Sequence, residues 1–434
     1  MDEVNQLEAR PRPRAWASDG LWPLAVAVTR AGLAVALGLA LKWSDPSDDV
    51  TFQMMYAADP GVLLGLSEIE EGRYLPPFPP LLPVVLFLIS LPTKLIGGSA
   101  GTFLAMRLGY AVLEGLGLWG TRAAMRASGV PGRGLLGASL LWLAMPVGWM
   151  SASVICQEES VGVAFAALMV WLVVKQRLGW ALVVAGVGVV AGKVYFLVPI
   201  AGMVLAGPID WKTLLTRGAC GFGPIAVVYG FAAAMGGGFG LASFTPQVEP
   251  SINLFGLVPL VQDVDDGVLK RVSAVPALLL GMLPVVVARF RGGLWSGRVE
   301  GVDLVRVITA QWLWVFFSFY LVSPEYFILV VPGVLVSLRG AWSRWAWVLG
   351  LLTIPWGTNF AYGVGLALER AGDGPVTGGK AAFVKIWQAV MPIDPVVGHV
   401  GGIVVFVLGL GALATLLTAS GRATATTSNP YHRG

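Results

Sequence analysis

Residues 180–206 read WALVVAGVGVVAGKVYFLVPIAGMVLA, apolar throughout except for Lys193 at the centre. A continuous spanning helix here would strand an ammonium group in hydrocarbon, where a charge is expensive and marks a functional site by default. A broken helix pair is the cheaper arrangement, because its turn lifts Lys193 toward the outer interface and the freed backbone groups find partners inside the protein. Such a segment belongs to a polytopic membrane protein. The rest of the chain agrees: its 434 residues are 56% hydrophobic and 12% charged, with a mean hydropathy of +0.75. An ordinary soluble domain is about 25% charged, and a disordered chain does not carry this much apolar surface. A soluble enzyme is excluded.

Outward from that segment, further apolar runs fall near 21–41, 81–96, 102–121, 134–150, 161–174, 214–235, 272–288, 305–322, 326–338, 345–364 and 396–418. Most approach the roughly 17 to 25 residues that a spanning helix needs. Arg10, Arg12 and Arg14 precede the first run, which is too long for a cleaved signal peptide and reads as an anchor. Four basic connections follow: Arg122, Arg126 and Arg133; Lys175 and Arg177; Arg289, Arg291 and Arg298; Arg339 and Arg344. All four lie on the cytoplasmic side under the rule of positive charge inside, provided that the short, Pro-laden 81–96 does not cross fully and that 180–206 is broken. The acidic residues then collect outside. The expected architecture is all-α, with about 12 crossings plus one partial helix, and juxtamembrane helices in the first outer loop. One transmembrane domain covers 21–418, between cytoplasmic tails at 1–20 and 419–434. The outer connections 42–80, 236–271 and 365–395 are long for structureless loops, and long loops are often functional. No internal repeat is evident.

The pI of about 9.1 describes charges sorted by side and is no argument for nucleic acid. Two Cys and two His are too few for zinc, which takes three or four such ligands. No cofactor and no metal are expected, and a divalent ion would have to sit on carboxylates. Cys156 and Cys220 are expected on opposite sides of the membrane and unbridged.

Chemistry-bearing residues gather on the outer side. The first loop, WSDPSDDVTFQMMYAADPG from Trp43 to Gly61, carries Asp45, Asp48, Asp49 and Asp59. Val50, Phe52, Met54, Met55 and Tyr56 suit a short amphipathic helix on the interface. Asp48 or Asp49 would start that helix, as an ordinary cap or as a carboxylate that takes a proton from an acceptor hydroxyl. Gln157, Glu158 and Glu159 head a later span, where acids also favour the helix dipole. Ser323, Pro324, Glu325 and Tyr326 form a very short turn between two spans. Arg107 and Glu114, seven residues apart on one helix, read as a packing pair.

An acidic first loop ending in YLPPFPPLL, then QEES, AGKVYFLVP and VSPEYFILVVP, in that order, resembles the GT-C superfamily of multi-spanning glycosyltransferases. The likeness is greatest to the polyprenol-phosphate-mannose-dependent mannosyltransferases and covers about 43–332. It implies a polyprenyl-phosphate sugar donor, mannose favoured, a lipid or glycan acceptor, and a site facing outward from a bacterial plasma membrane. It also implies a first-loop Asp as catalytic base. Asp49 best matches, with Asp45 and Asp48 as rivals. QEE and SPEY depart from the family's usual Gln-Asp or Gln-Asn and Pro-Gln-Tyr, which leaves the roles of Glu158 and Glu325 open. Transfer from a lipid phosphate calls for a cation where phosphate charge grows; Lys193 is best placed, with Arg73 and Arg107 behind it. Tyr56, Tyr74, Gln157, Glu158, Glu325 and Tyr326 are the candidate substrate contacts. A lipid or solute transporter would use the same intramembrane lysine, but would not require the acidic loop.

Overall fold

The computed structural model describes residues 15–40, 57–58, 79–94, 98–148, 152–153, 157–207, 210–235, 281–292, 301–318 and 324–337. Among them all regular structure is helical. The last two expected spans, 345–364 and 396–418, lie outside the described residues, as do the long outer connections apart from a few residues of the first.

The break expected around Lys193 is present. Counting helices along the chain, α1 is Ala15–Ala40, α2 Leu82–Lys94, α3 Gly98–Ala127, α4 Gly132–Ala144, α5 Glu159–Val174, α6 Leu178–Ala191 and α7 Leu197–Val204. They are followed by α8 Trp211–Ala234, α9 Leu283–Gly292, α10 Gly301–Ser318 and α11 Val331–Ser337. Helix α6 stops at Gly192, and Lys193 is extended at φ −142° and ψ 143°. A 3-10 turn, Val194–Phe196, then feeds α7, which runs back along α6. Small residues make this reversal fit. A Cβ on Gly188 would lie 2.8 Å from the Phe196 ring, and one on Gly192 would lie 3.2 Å from the Cα of Gly162 in α5. The amides of Gly192 and Lys193 both donate to the Gly188 carbonyl, at 2.8 and 2.9 Å. The Val190 carbonyl accepts the Leu81 amide at 2.8 Å, which seats the start of α2 beside the break. Helix α2 has 13 residues, about 20 Å of rise, which is short of a roughly 30 Å hydrocarbon core.

Contacts give the helix directions. Cβ atoms on Gly117 and Gly120 of α3 would meet Val163 and Ala167 of α5 at 3.2 and 3.1 Å, so these two helices run parallel. Helix α1 is antiparallel to α3: Gly115 faces Pro23 and Ala27, and Arg107 reaches the Ala34 carbonyl at 3.4 Å. Helix α10 opposes α7, with the Trp312 indole donating to the Tyr195 carbonyl at 2.7 Å and Ile308 against Gly202. Gly301, which opens α10, abuts Val173 and Val174 at the end of α5. Arg122, Arg126, Lys175 and Arg177 therefore share one end of the bundle, and Glu158, Glu159 and Lys193 share the other. The 16 residues of α5 separate the two ends by about 24 Å. This is the alternation that the first two basic connections require; the connections at Arg289 to Arg298 and Arg339 to Arg344 are not tested by the described residues.

Two expectations change. The run 134–150 is not one helix, because α4 ends at Ala144, Met145 is extended, and Pro146 opens a one-turn helix to Gly148. Pro146 lacks the N–H that would serve the Trp142 carbonyl four residues back. Arg30 of α1 supplies the missing donors, to Trp142 at 2.9 Å and Leu143 at 3.1 Å. The second change concerns Glu114, whose ion-pair partner is Arg30 at 2.9 Å, with both side chains fully buried, rather than Arg107. Seven residues on one helix are about 10 Å apart along the axis, too far for the pairing first expected.

Helix α8 is long and apolar enough to cross a membrane and turns its apolar side chains outward; Trp211, Leu215 and Val227 are 66%, 62% and 71% exposed. A stripe of that kind is anomalous against water and ordinary against hydrocarbon.

Candidate functional site

The end of the bundle opposite the basic connections holds one polar cluster, built on the helix break. Lys193 leaves the turn between α6 and α7, and its ammonium pairs with Glu158 Oε1 and, at 2.9 Å, with Glu159 Oε1. It donates to the Tyr326 hydroxyl at 3.3 Å and lies 4.4 Å from the centre of that ring. Both glutamate side chains are fully buried, and Lys193 keeps 15% of its side chain exposed. Two carboxylates and a phenol thus hold one ammonium. Glu158 sits at the N-cap of α5, yet its side chain makes no capping bond. Capping therefore does not explain it; its carboxylate goes to the lysine instead.

Aromatic packing fixes the floor of the cluster. Tyr195, two residues past the lysine, stacks 5.2 Å from Tyr326 and meets Phe316 edge-on at 5.3 Å. Phe196 meets Trp312 edge-on at 5.3 Å. These rings hold Tyr326, in the 3-10 segment Pro324–Leu329, against the 3-10 turn Val194–Phe196, and the segment packs on α5.

Of the residues singled out in the sequence, Lys193, Glu158 and Tyr326 come together. Gln157 is buried next to them in the chain. The Leu81 amide, at the end of YLPPFPPLL, joins the same neighbourhood through Val190. Arg107 is buried and bonds to α1. Asp45, Asp48, Asp49, Tyr56, Arg73 and Tyr74 lie outside the described residues. Glu325 falls in the 3-10 segment, and its side chain is likewise outside. Among the described residues no group of His, Cys, Asp and Glu is arranged to hold a metal. Cys220 is a free thiol, and Cys156 is outside the described residues.

Sequence reasoning missed the role of Glu159, which was visible only as half of an acidic pair. It also missed Tyr195 and the Arg30–Glu114 pair. Arg30 interrupts an apolar run just as Lys193 does, and that signal would have found it.

No family model matches the chain, and no curated protein matches it. Among solved structures the chain is similar to ArnT from Cupriavidus metallidurans in the apo state, at 16% identity and a TM-score of 0.46, over 93% of this chain and 78% of that one. A likeness so distant assigns no activity.

Proposed function

We propose that the chain is a polytopic membrane glycosyltransferase that moves a sugar from a polyprenyl-phosphate donor to a hydroxyl of a lipid or glycan acceptor. The site faces the outer side of the membrane, and the resemblance of the sequence landmarks favours mannose. The observation that carries the reading is the ammonium of Lys193 at a helix break, level with the helix ends opposite Arg122, Arg126, Lys175 and Arg177.

A sugar on a lipid phosphate arrives sideways through the bilayer, so its phosphate needs a cation near the membrane surface. In this mechanism the acceptor oxygen attacks the anomeric carbon as the bond from that carbon to the phosphate oxygen breaks, inverting the centre. The hydroxyl proton passes to a first-loop carboxylate, Asp49 or failing it Asp45, in the role of base. The lipid phosphate leaves as an anion and requires no general acid. Lys193 stabilises the growing charge as the phosphate displaces one of its two carboxylate partners, since with both ionised the cluster has a formal charge of −1. The carboxylate that stays positions the ammonium.

The deciding experiment supplies purified protein with labelled polyprenyl-phosphate mannose, glucose and arabinose in turn, and identifies the labelled product. Transfer from the mannose donor is expected. Absence of transfer from every donor, together with uptake into liposomes, would establish a transporter instead.

A further inference from the structure

At the opposite end of the bundle, the first turns of α8 and the start of α6 border a shallow open cleft of about 310 Å³, lined by Gly179, Lys212, Thr213, Thr216, Arg217 and Cys220. We infer that this cleft holds the phosphodiester headgroup of an anionic phospholipid of the inner leaflet. The inference rests on the reading of α8 as a membrane crossing.

Charge is the first argument. Lys212 and Arg217 both face the cleft, and Lys175 and Arg177 stand in the preceding turn. The nearby acid, Asp210, accepts the Thr213 amide at 2.8 Å and the Thr213 hydroxyl at 2.6 Å and stays ionised, its charge acting on Arg217, so the excess positive charge comes from Lys212 with Lys175 and Arg177. Those bonds hold its carboxyl below the usual aspartate range. Arg217 is oriented by one terminal nitrogen, which donates to the Ala206 carbonyl and, at 3.5 Å, to the Val204 carbonyl, so the rest of the guanidinium can face a ligand. Basic clefts between helices on the cytoplasmic side are the known form of anionic headgroup sites.

Position is the second argument, and it separates a lipid from a free phosphate. Trp180 and Trp211 flank the cleft with 65% and 66% exposure, and such tryptophans mark the headgroup level of a bilayer. Below them Leu215 and Phe222, 62% and 47% exposed, continue outward along α8 at helical spacing and give the acyl chains a track. The mouth is open at Gly179, where a Cβ would meet only the Cys220 sulfur, at 3.9 Å.

The test is native mass spectrometry of the delipidated full chain titrated with phosphatidylglycerol, phosphatidylcholine or inorganic phosphate. Phosphatidylglycerol should bind in preference to phosphatidylcholine, and Lys212→Gln should weaken it roughly fivefold, one surface charge's worth. Inorganic phosphate should not compete. Arg217→Gln should weaken binding similarly, with thermal melting to confirm that the variant is folded. Equal retention of the two lipids, or a Lys212→Gln protein that binds like wild type, overturns the inference. Competition by inorganic phosphate makes it a free-anion site and overturns the lipid assignment. A chain that stays in solution without detergent defeats the membrane reading itself; one that needs detergent yet shows no lipid preference defeats only this proposal.

Discussion

Arg30→Met should destabilise the fold severely, and the structure sets the scale. The guanidinium is fully buried, and its bonds include those to Glu114 at 2.9 Å, Trp142 at 2.9 Å and Leu143 at 3.1 Å. Methionine fills similar volume and makes none of them. If each bond contributed only the roughly 0.6 kcal/mol typical of polar contacts between membrane helices, the loss would be about 2 kcal/mol. Breaking a buried ion pair by removing one partner generally costs about 3–5 kcal/mol, because the remaining charge is stranded. The expected loss lies between those bounds, near the upper one. Glu114→Leu in the Arg30→Met background should recover part of it by removing the stranded carboxylate. It should not recover all, since the Trp142 carbonyl still faces Pro146 without a donor. The assay is reversible denaturation of the four proteins of the cycle in mixed micelles. An Arg30→Met midpoint equal to that of wild type, or single-variant losses that simply add in the double variant, would refute the reasoning.

Other outcomes follow from the site. Lys193→Met should reduce both donor affinity and turnover while Lys193→Arg keeps part of each, as charge matters more than shape for a point contact; wild-type transfer by a folded Lys193→Met protein would remove the lysine from the site. Asp49→Asn is nearly isosteric and should slow single-turnover transfer by roughly 10² to 10⁴ with donor binding retained. Matched Asp45→Asn and Asp48→Asn preparations decide the assignment, which fails if Asp49→Asn alone keeps wild-type rates. At the start of α8, the carboxyl of Asp210 is held below the ordinary aspartate value by Thr213. Its contribution to stability is therefore present above the unfolded value of about 3.9 and lost as pH falls through the folded one. An Asp210→Ala protein should show a shallower loss of melting temperature on acidification across that window, and an unchanged acid profile would mean that the cap is idle.

The parts of this fold legible in the sequence were those where one residue broke a strong pattern. Lys193 in an apolar run announced the reversal between α6 and α7, and the grouping of Arg122, Lys175 and their neighbours announced which helix ends lie together. What escaped notice depended on contacts between helices distant in the chain. Glu114 looked equally able to pair along its own helix or across to another, and only the packing of α1 on α3 chose Arg30. The interruption after Ala144 had its cause in plain sight, in Pro146, but proline is common enough in membrane helices that it does not by itself end one. In the site, Glu158 could have been a cap or a partner for a cation, and the direction of its side chain made the difference. The first-loop aspartates rest on resemblance and on their position past the first span.

The buried ion pairs of Lys193 and of Arg30 also differ in the order in which the ribosome delivers their halves. Glu158 and Glu159 emerge before Lys193, which follows Glu159 by 34 positions, so the lysine meets waiting counter-charges as its helix pair enters the bilayer. Arg30 has the opposite history. It precedes Glu114 by 84 positions, and α1 is made long before α3 exists. A lone arginine in hydrocarbon is unfavourable, so the first helix gains its settled depth only when the third arrives to claim it. Assembly of this bundle thus has a built-in waiting step at its N-terminal end and none at the Lys193 cluster.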